Sequence, residues 1–417
     1  MAASDQSSMA RDPFFLVVGG LYLDEIHTVA AFPREDSTTR ALSVQRRRGG
    51  NAATTAVVVS ALAAPGDRVR WMGVVPAPGQ DDERLGFCLN DLAANGVDHS
   101  WREEVDPLDQ PIGLPTAIIV ASMETGTRTI VSSRRGLREL EPAHFAARLP
   151  TDDGGAHGPR RGWVHLESRE FASTLRMTEH FGEQRREGAR WRMSVEIEKP
   201  ALSVDQVLAL AAHAHVVFFS REWVEAHEDS LAVPPAAAGL TERLLEGSPH
   251  AALLDKGSHP AVRCLAALAA QAAASGPLHA THATHAAHAA HTHATHATHA
   301  THATWICAWG ALGAFALGVD TADGASSCTF EPASHVQTVV DSTGAGDTFI
   351  GASIAALAQG ADVAETLRCA CAVAACKIGQ AGCSGEQLAA AYRAARAPCE
   401  GKMDGLQSTP SAPDIGQ

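Results

Sequence analysis

The segment Asp341-Ser-Thr-Gly-Ala-Gly-Asp347 runs without a break into Thr348-Phe-Ile-Gly-Ala-Ser-Ile-Ala-Ala-Leu357, and it constrains the fold more than any other stretch. Glycines around an alanine, followed by a long apolar run, predict a tight turn feeding the N-terminus of a buried helix. With no bulky side chain at Gly344, Ala345 or Gly346, backbone N–H groups can point at an anion, and the helix start adds about half a unit of positive charge. Asp347 does not suit a simple anion hole, because its carboxylate repels the ligand that the hole attracts. A proton acceptor beside a site of phosphoryl transfer accounts for it. The plainer alternative is a turn made by the glycines with Asp347 as a helix cap.

The full run over residues 341–349, Asp-Ser-Thr-Gly-Ala-Gly-Asp-Thr-Phe, resembles the C-terminal signature of the PfkB/ribokinase family of sugar and nucleoside kinases. The resemblance implies that Asp347 deprotonates the acceptor hydroxyl and that Gly344, Ala345 and Gly346 form the anion hole. It also implies a ribokinase-like three-layer α/β/α sandwich with a mostly parallel central sheet and a small β-sheet lid.

Composition excludes other classes. The 417 residues are 45% hydrophobic, enough for a large α/β core, and the formal charge of −14 argues against a broad nucleic-acid surface. No apolar stretch suits a signal peptide or a membrane span, so a cytoplasmic protein is expected, although the polar, Ser-containing start is compatible with a short organelle transit peptide. The nine cysteines include no Cys-x-x-Cys pair; Cys369, Cys371, Cys376 and Cys383 lie in or near one Ala-rich helical run and read as small core residues.

Taken in order, residues 1–13 are expected to be disordered and 14–385 to form the kinase domain. Phe14-Phe-Leu-Val-Val18 reads as a buried parallel strand ended by Gly19-Gly20, with Asp24 beyond its carboxyl end, where ligands of open α/β sheets bind. Phe32-Pro-Arg-Glu-Asp-Ser37 and Arg46-Arg-Arg-Gly-Gly-Asn51, the latter opening the helical run Ala52 to Ala64, are similar to segments of the ketohexokinase branch of the family. That likeness implies sugar contacts at Asp24, Gly50 and Asn51, and a role for Asp36 across a homodimer interface through the lid strands. Thr54 stands where the family motif has a second asparagine, and its hydroxyl cannot reproduce both amide roles. Arg46, Arg47 and Arg48 either draw in phosphate or form a solvated edge.

Val69 to Val75 and Leu85 to Val97 predict strand then helix, and Thr116 to Val131 predicts a hairpin around Glu124-Thr-Gly-Thr127. The lid is expected from about 22–48 and 108–135. The resemblance gives Arg128 to the nucleotide phosphates; a strand arginine pairing with Glu124 is the alternative. Ser132 and Ser133 replace tyrosines of the ketohexokinase branch. Trp163-Val-His-Leu166, Arg192-Met-Ser-Val-Glu196 and His215-Val-Val-Phe-Phe219 alternate with helical stretches, the rhythm of a parallel sheet, and place Glu167, Glu196 and Glu198 at strand ends. Ser220-Arg-Glu-Trp223 lacks the Asn-x-x-Glu that organises Mg²⁺ in several family members, so the metal is expected on ATP phosphates and water, with no protein ligand identified.

Ala261 to Ala274 predicts a helix. A His-Ala-Thr repeat follows, and 279–304 holds nine of the 21 histidines. This suits a disordered insertion over about 277–304, or a metal-binding arm. Trp305-Ile-Cys-Ala-Trp309 and the turn from Gly310 to Gly313 resemble the family segment along the nucleotide, which implies nucleotide contacts at Trp309, Gly310, Gly313, Thr343 and, after a helix over 366–379, Gly382. A strand is expected to carry Val339-Val340 into the turn. Residues 386–417 read as a largely disordered tail.

The resemblance thus implies an ATP- and Mg²⁺-dependent kinase, with K⁺ a further candidate, that converts D-fructose to fructose 1-phosphate. Alternatives are another kinase of the family (fructose O6, ribose or a nucleoside) and a non-catalytic sugar- or nucleotide-binding protein.

Overall fold

A computed structural model describes residues 14–107, 111–149, 161–184, 190–231, 259–274, 303–319, 326–380 and 384–397. The elements in chain order are β1 (Phe14–Val18), β2 (Tyr22–Val29), β3 (Ser43–Gly49), α1 (Asn51–Leu62), β4 (Arg68–Met72), β5 (Val74–Pro76), α2 (Asp82–Ala94), β6 (Val97–Asp98), β7 (Glu103–Val105), β8 (Thr116–Ser122), β9 (Arg128–Ser133) and α3 (Pro142–Ala146). There follow β10 (Arg161–Glu167), α4 (Phe171–Gln184), β11 (Arg190–Ile197), α5 (Val204–Ala211), β12 (Val216–Phe219), α6 (Arg221–His227), α7 (Pro260–Ala274), β13 (Thr304–Ala308), β14 (Gly313–Val319) and β15 (Ser326–Pro332). The chain then closes with α8 (Ala345–Ala358), α9 (Val363–Ile378) and α10 (Gly385–Arg396).

A nine-stranded sheet in the order β15-β14-β13-β12-β11-β10-β1-β4-β6 runs through the molecule, parallel from β13 to β6, with β14 and β15 added antiparallel at one edge. The unbroken apolar run of β1 has a direct cause in this architecture. Phe14, Leu16 and Val18 enter one core, with residues of α4, α5, α6 and α7, while Phe15 and Val17 enter the other, with α1, α8, α9 and α10. A strand covered on both faces cannot alternate polar with apolar residues. The result is the three-layer sandwich expected from the sequence. Helix α8 is buried on nearly all sides, and Gly351 lets it press against α1, where an added Cβ would lie 2.8 Å from Val58.

A separate four-stranded sheet, β3-β2-β8-β9, covers the carboxyl ends of the central strands. It contains the expected hairpin, with Thr116 opposite Ser133.

Three expectations are corrected. Val339 and Val340 are exposed and lie in no strand; the Val340 N–H donates to the Ile378 carbonyl at 2.7 Å, so helix α9, not a sheet, holds this segment. The edge strand is instead β15. Residues 385–396 form helix α10, because Leu388 and Tyr392, one turn apart, bury themselves against the core while the polar residues face out. The repeat stops short of Thr304: Ala303 is buried and the Thr304 N–H donates to the His215 carbonyl at 2.9 Å, starting β13. The expectations for residues 1–13, 277–302 and 398–417 lie outside the described residues.

Candidate active site

Between the small sheet and the central sheet lies a cleft of about 1470 Å³. Its floor is the turn at the start of α8. Gly344 is the N-cap with φ 75°, a left-handed conformation open to glycine, and it leaves Ala345, Gly346 and Asp347 in the first helical turn. The Thr348 hydroxyl donates to the Gly344 carbonyl at 2.7 Å and fixes the turn. Thr343, Gly344, Ala345, Gly346 and Asp347 all line the cleft, as the motif led one to expect.

Asp347 is buried, and burial, followed by the charges of Glu198 and Glu167, pushes its carboxyl up to about 7. Glu167 and Glu196 come from the ends of β10 and β11, and Glu198 follows β11. Oε2 of Glu167 accepts from the Gly20 N–H at 2.8 Å and Oε1 from Arg169 at 2.9 Å. Glu196 accepts from Asn51 Nδ2 at 3.4 Å through Oε1, while its buried Oε2 has no partner. Burial and the Asp347 charge raise the Glu196 carboxyl well above the usual carboxylate range. Among the described residues no group of three or more His, Cys, Asp or Glu is placed to hold a metal ion. The described cysteines are free, and burial pushes the Cys371 thiol up to about 12.

The sugar-side residues of the sequence reading also meet here: Asp24, Gly50, Asn51 and Thr54 line the cleft. Asp24 packs over Gly49, where a Cβ would sit 2.1 Å from its Oδ1, and burial raises its carboxyl to about 6. Gly50 has φ 97°, and a Cβ there would lie 2.3 Å from the Gly20 carbonyl oxygen. The Thr54 hydroxyl accepts from Arg48 Nη1 at 3.1 Å. Asp36 lies on the exposed loop after β2 with φ 55° and does not line the cleft of its own chain.

Arg128, which the sequence reading gives to the nucleotide phosphates, crosses from β9 to donate to the Ser342 hydroxyl. Gly310 and Gly313 line the cleft; Trp309 does not. Its ring packs edge-on against His259, 4.7 Å away. Gly382 lies outside the described residues. Within the arginine run the exposed Arg46 pairs with Glu25 and Glu83, whereas the less exposed Arg47 pairs with Asp341 and Arg48 with Asp91.

Sequence reasoning passed over Lys377. Its side chain is buried in α9 and its Nζ lies 3.0 Å from the Asp341 carbonyl oxygen and 3.3 Å from Oδ2. Burial alone would raise the Asp341 carboxyl, but the Thr343 N–H, Lys377 and Arg47 together bring it down to about 2. The available signal was one cation in the otherwise apolar run from Cys369 to Ile378.

A family described as pfkB family carbohydrate kinase matches residues 277–389. Ketohexokinase of Mus musculus is 29% identical over 376 residues, covering 89% of this chain and 97% of the relative. Ribokinase of Cryptococcus neoformans var. grubii serotype A, solved with ADP, superposes with a TM-score of 0.56 at 16% identity, over 93% of this chain and 99% of that one. Ribokinase of Arabidopsis thaliana, solved with ribose and ATP, gives 0.57 at 13% identity over 92% and 99%. These likenesses agree with the buried aspartate at the start of α8: over residues 277–389 the chain is similar to pfkB family carbohydrate kinases, and its fold is that of the ribokinases.

Proposed function

We propose that the protein transfers the γ-phosphoryl group of ATP to a ketohexose, converting D-fructose to fructose 1-phosphate. The observation that carries the reading is Asp347, buried at the first turn of α8 beside the N–H groups of Gly344 to Gly346, with its carboxyl raised to about 7. A base must be unprotonated yet basic enough to take a hydroxyl proton, and a value near neutrality meets both demands. Asp24 and Asn51 hold the sugar hydroxyls, and the small sheet acts as a lid that keeps water out. Arg128 and the turn's N–H groups receive the charge that develops on the transferred phosphoryl. Bound Mg²⁺ would neutralise charge on the nucleotide phosphates; Glu196, whose Oε2 has no hydrogen-bond partner, and Glu198 line the cleft and would accept from the water around it. The reading includes a homodimer formed through the small sheet, in which the exposed Asp36 of one copy would reach the cleft of the other.

The likeness to ketohexokinase of Mus musculus supports the sugar. One observation favours a second reading, a kinase for fructose O6, ribose or a nucleoside: the Thr54 hydroxyl is engaged by Arg48, which leaves less hydrogen-bonding capacity for the acceptor than an asparagine would. A turnover assay with ATP and Mg²⁺ over fructose, ribose, glucose and adenosine, with the phosphorylated carbon located by NMR, separates the two. Fructose 1-phosphate is the expected product, and Asp347→Asn is expected to lower its rate about 10²–10⁴-fold. No turnover of any acceptor would leave a binding protein.

A further inference from the structure

Arg47 stands where the two halves of the cleft meet. It leaves β3 opposite Asp24 in the strand register, and its Nη1 reaches Asp341 Oδ2 at the start of the anion-binding turn. Asp341 already has a cation in Lys377, whose side chain is 4% exposed. One carboxylate therefore faces two cations, and the surplus positive charge lies beside the N–H groups of Gly344 to Gly346. The neighbouring arginines are committed elsewhere. Arg46 faces Glu25 and Glu83, while Arg48, with its side chain 7% exposed, is fixed by Asp91 and Thr54. The Arg47 side chain is 26% exposed, lines the cleft, and has a neutral amide oxygen, Gln45 Oε1 at 2.9 Å, as its other partner.

We propose that Arg47 is a phosphate-binding residue: an outer phosphate of the nucleoside triphosphate takes its guanidinium over from Asp341, while Lys377 keeps the Asp341 carboxylate neutralised. The inference rests on the kinase reading above. A carboxylate stripped of its last cation inside a protein is costly, and Lys377 removes that cost from the exchange. The planar guanidinium fork matches two phosphate oxygens at once, as it matches a carboxylate. Asp341 thus holds Arg47 in place until a ligand of higher charge competes for it.

Calorimetric titration of the full chain with ATP, ADP and AMP in the presence of Mg²⁺ tests this in the wild type, Arg47→Gln and Arg47→Lys. Arg47→Gln should weaken ATP binding about tenfold to a hundredfold, the cost of one charge-assisted contact. AMP affinity should be unchanged, and Arg47→Lys should recover part of the loss. An equal loss for AMP and ATP, or unchanged ATP binding with a lowered melting temperature, would overturn the proposal and leave Arg47 as a tie between the small sheet and the turn. The two readings fail separately. A wild type that turns over no sugar sinks the kinase assignment, whereas the ATP-to-AMP affinity ratio still decides the role of Arg47.

Discussion

Burial raises the Asp347 carboxyl into the neutral range, which sets the pH profile expected if it acts as the proposed base. With its carboxyl raised to about 7, kcat/KM should climb as pH rises from about 6 and level off above about 7, because the acting form is the carboxylate. Glu198→Gln removes one of the charges that raise Asp347, so the inflection should move to lower pH; an unmoved profile would assign it to another group. The same shift has a stability consequence. Between about pH 4 and 7 the folded chain holds a proton that the unfolded chain has released, so stability falls as pH rises through that window. Asp347→Asn should abolish that part of the slope in thermal melts. The meeting of Gly344 to Asp347 in one turn at the cleft was legible because the residues are contiguous. Lys377, the pairing of Arg47 and the orphaned Glu196 oxygen were not, because each depends on strands and helices distant in sequence meeting at one point.

At the scale of elements, period and apolarity revealed the pieces buried on both faces: β1, the strands from β10 to β13, and helices α1, α7 and α8. The misreadings fall at edges, where few residues are committed to the core. Strand β15 is a polar edge strand ended by Pro332, and α10 opens with Ser384-Gly-Glu-Gln387 and ends on Arg396, a composition that suits a tail as well as a surface helix. Its attachment is specific nonetheless: Leu388 is fully buried, and Arg396 pairs with Glu365 at 2.9 Å. Leu388→Ala should cost about 2–5 kcal/mol, read as a lower urea midpoint. A change within error would mean that α10 does not contribute to the cooperative unit.

For the whole molecule, the His-Ala-Thr repeat enters between α7 and β13, at a point where neither flanking element contributes a proposed catalytic residue. Excision of residues 281–300 should therefore leave sugar turnover within about twofold, since the entropy of closing a connection changes only slowly with its length. Loss of turnover together with loss of Ni²⁺ or Zn²⁺ binding would instead make the repeat a functional metal arm. No described helix is long and apolar enough to cross a membrane. The cleft itself joins remote parts of the chain: 294 residues separate Arg47 from Asp341. At ribosomal speeds of about 5–20 residues per second, the first half of the site waits roughly 15–60 s for the second. A nascent chain spends that interval with Asp24, the arginine strand and the apolar face of α1 uncovered, an interval of exposure to aggregation and proteolysis that the folded chain does not have.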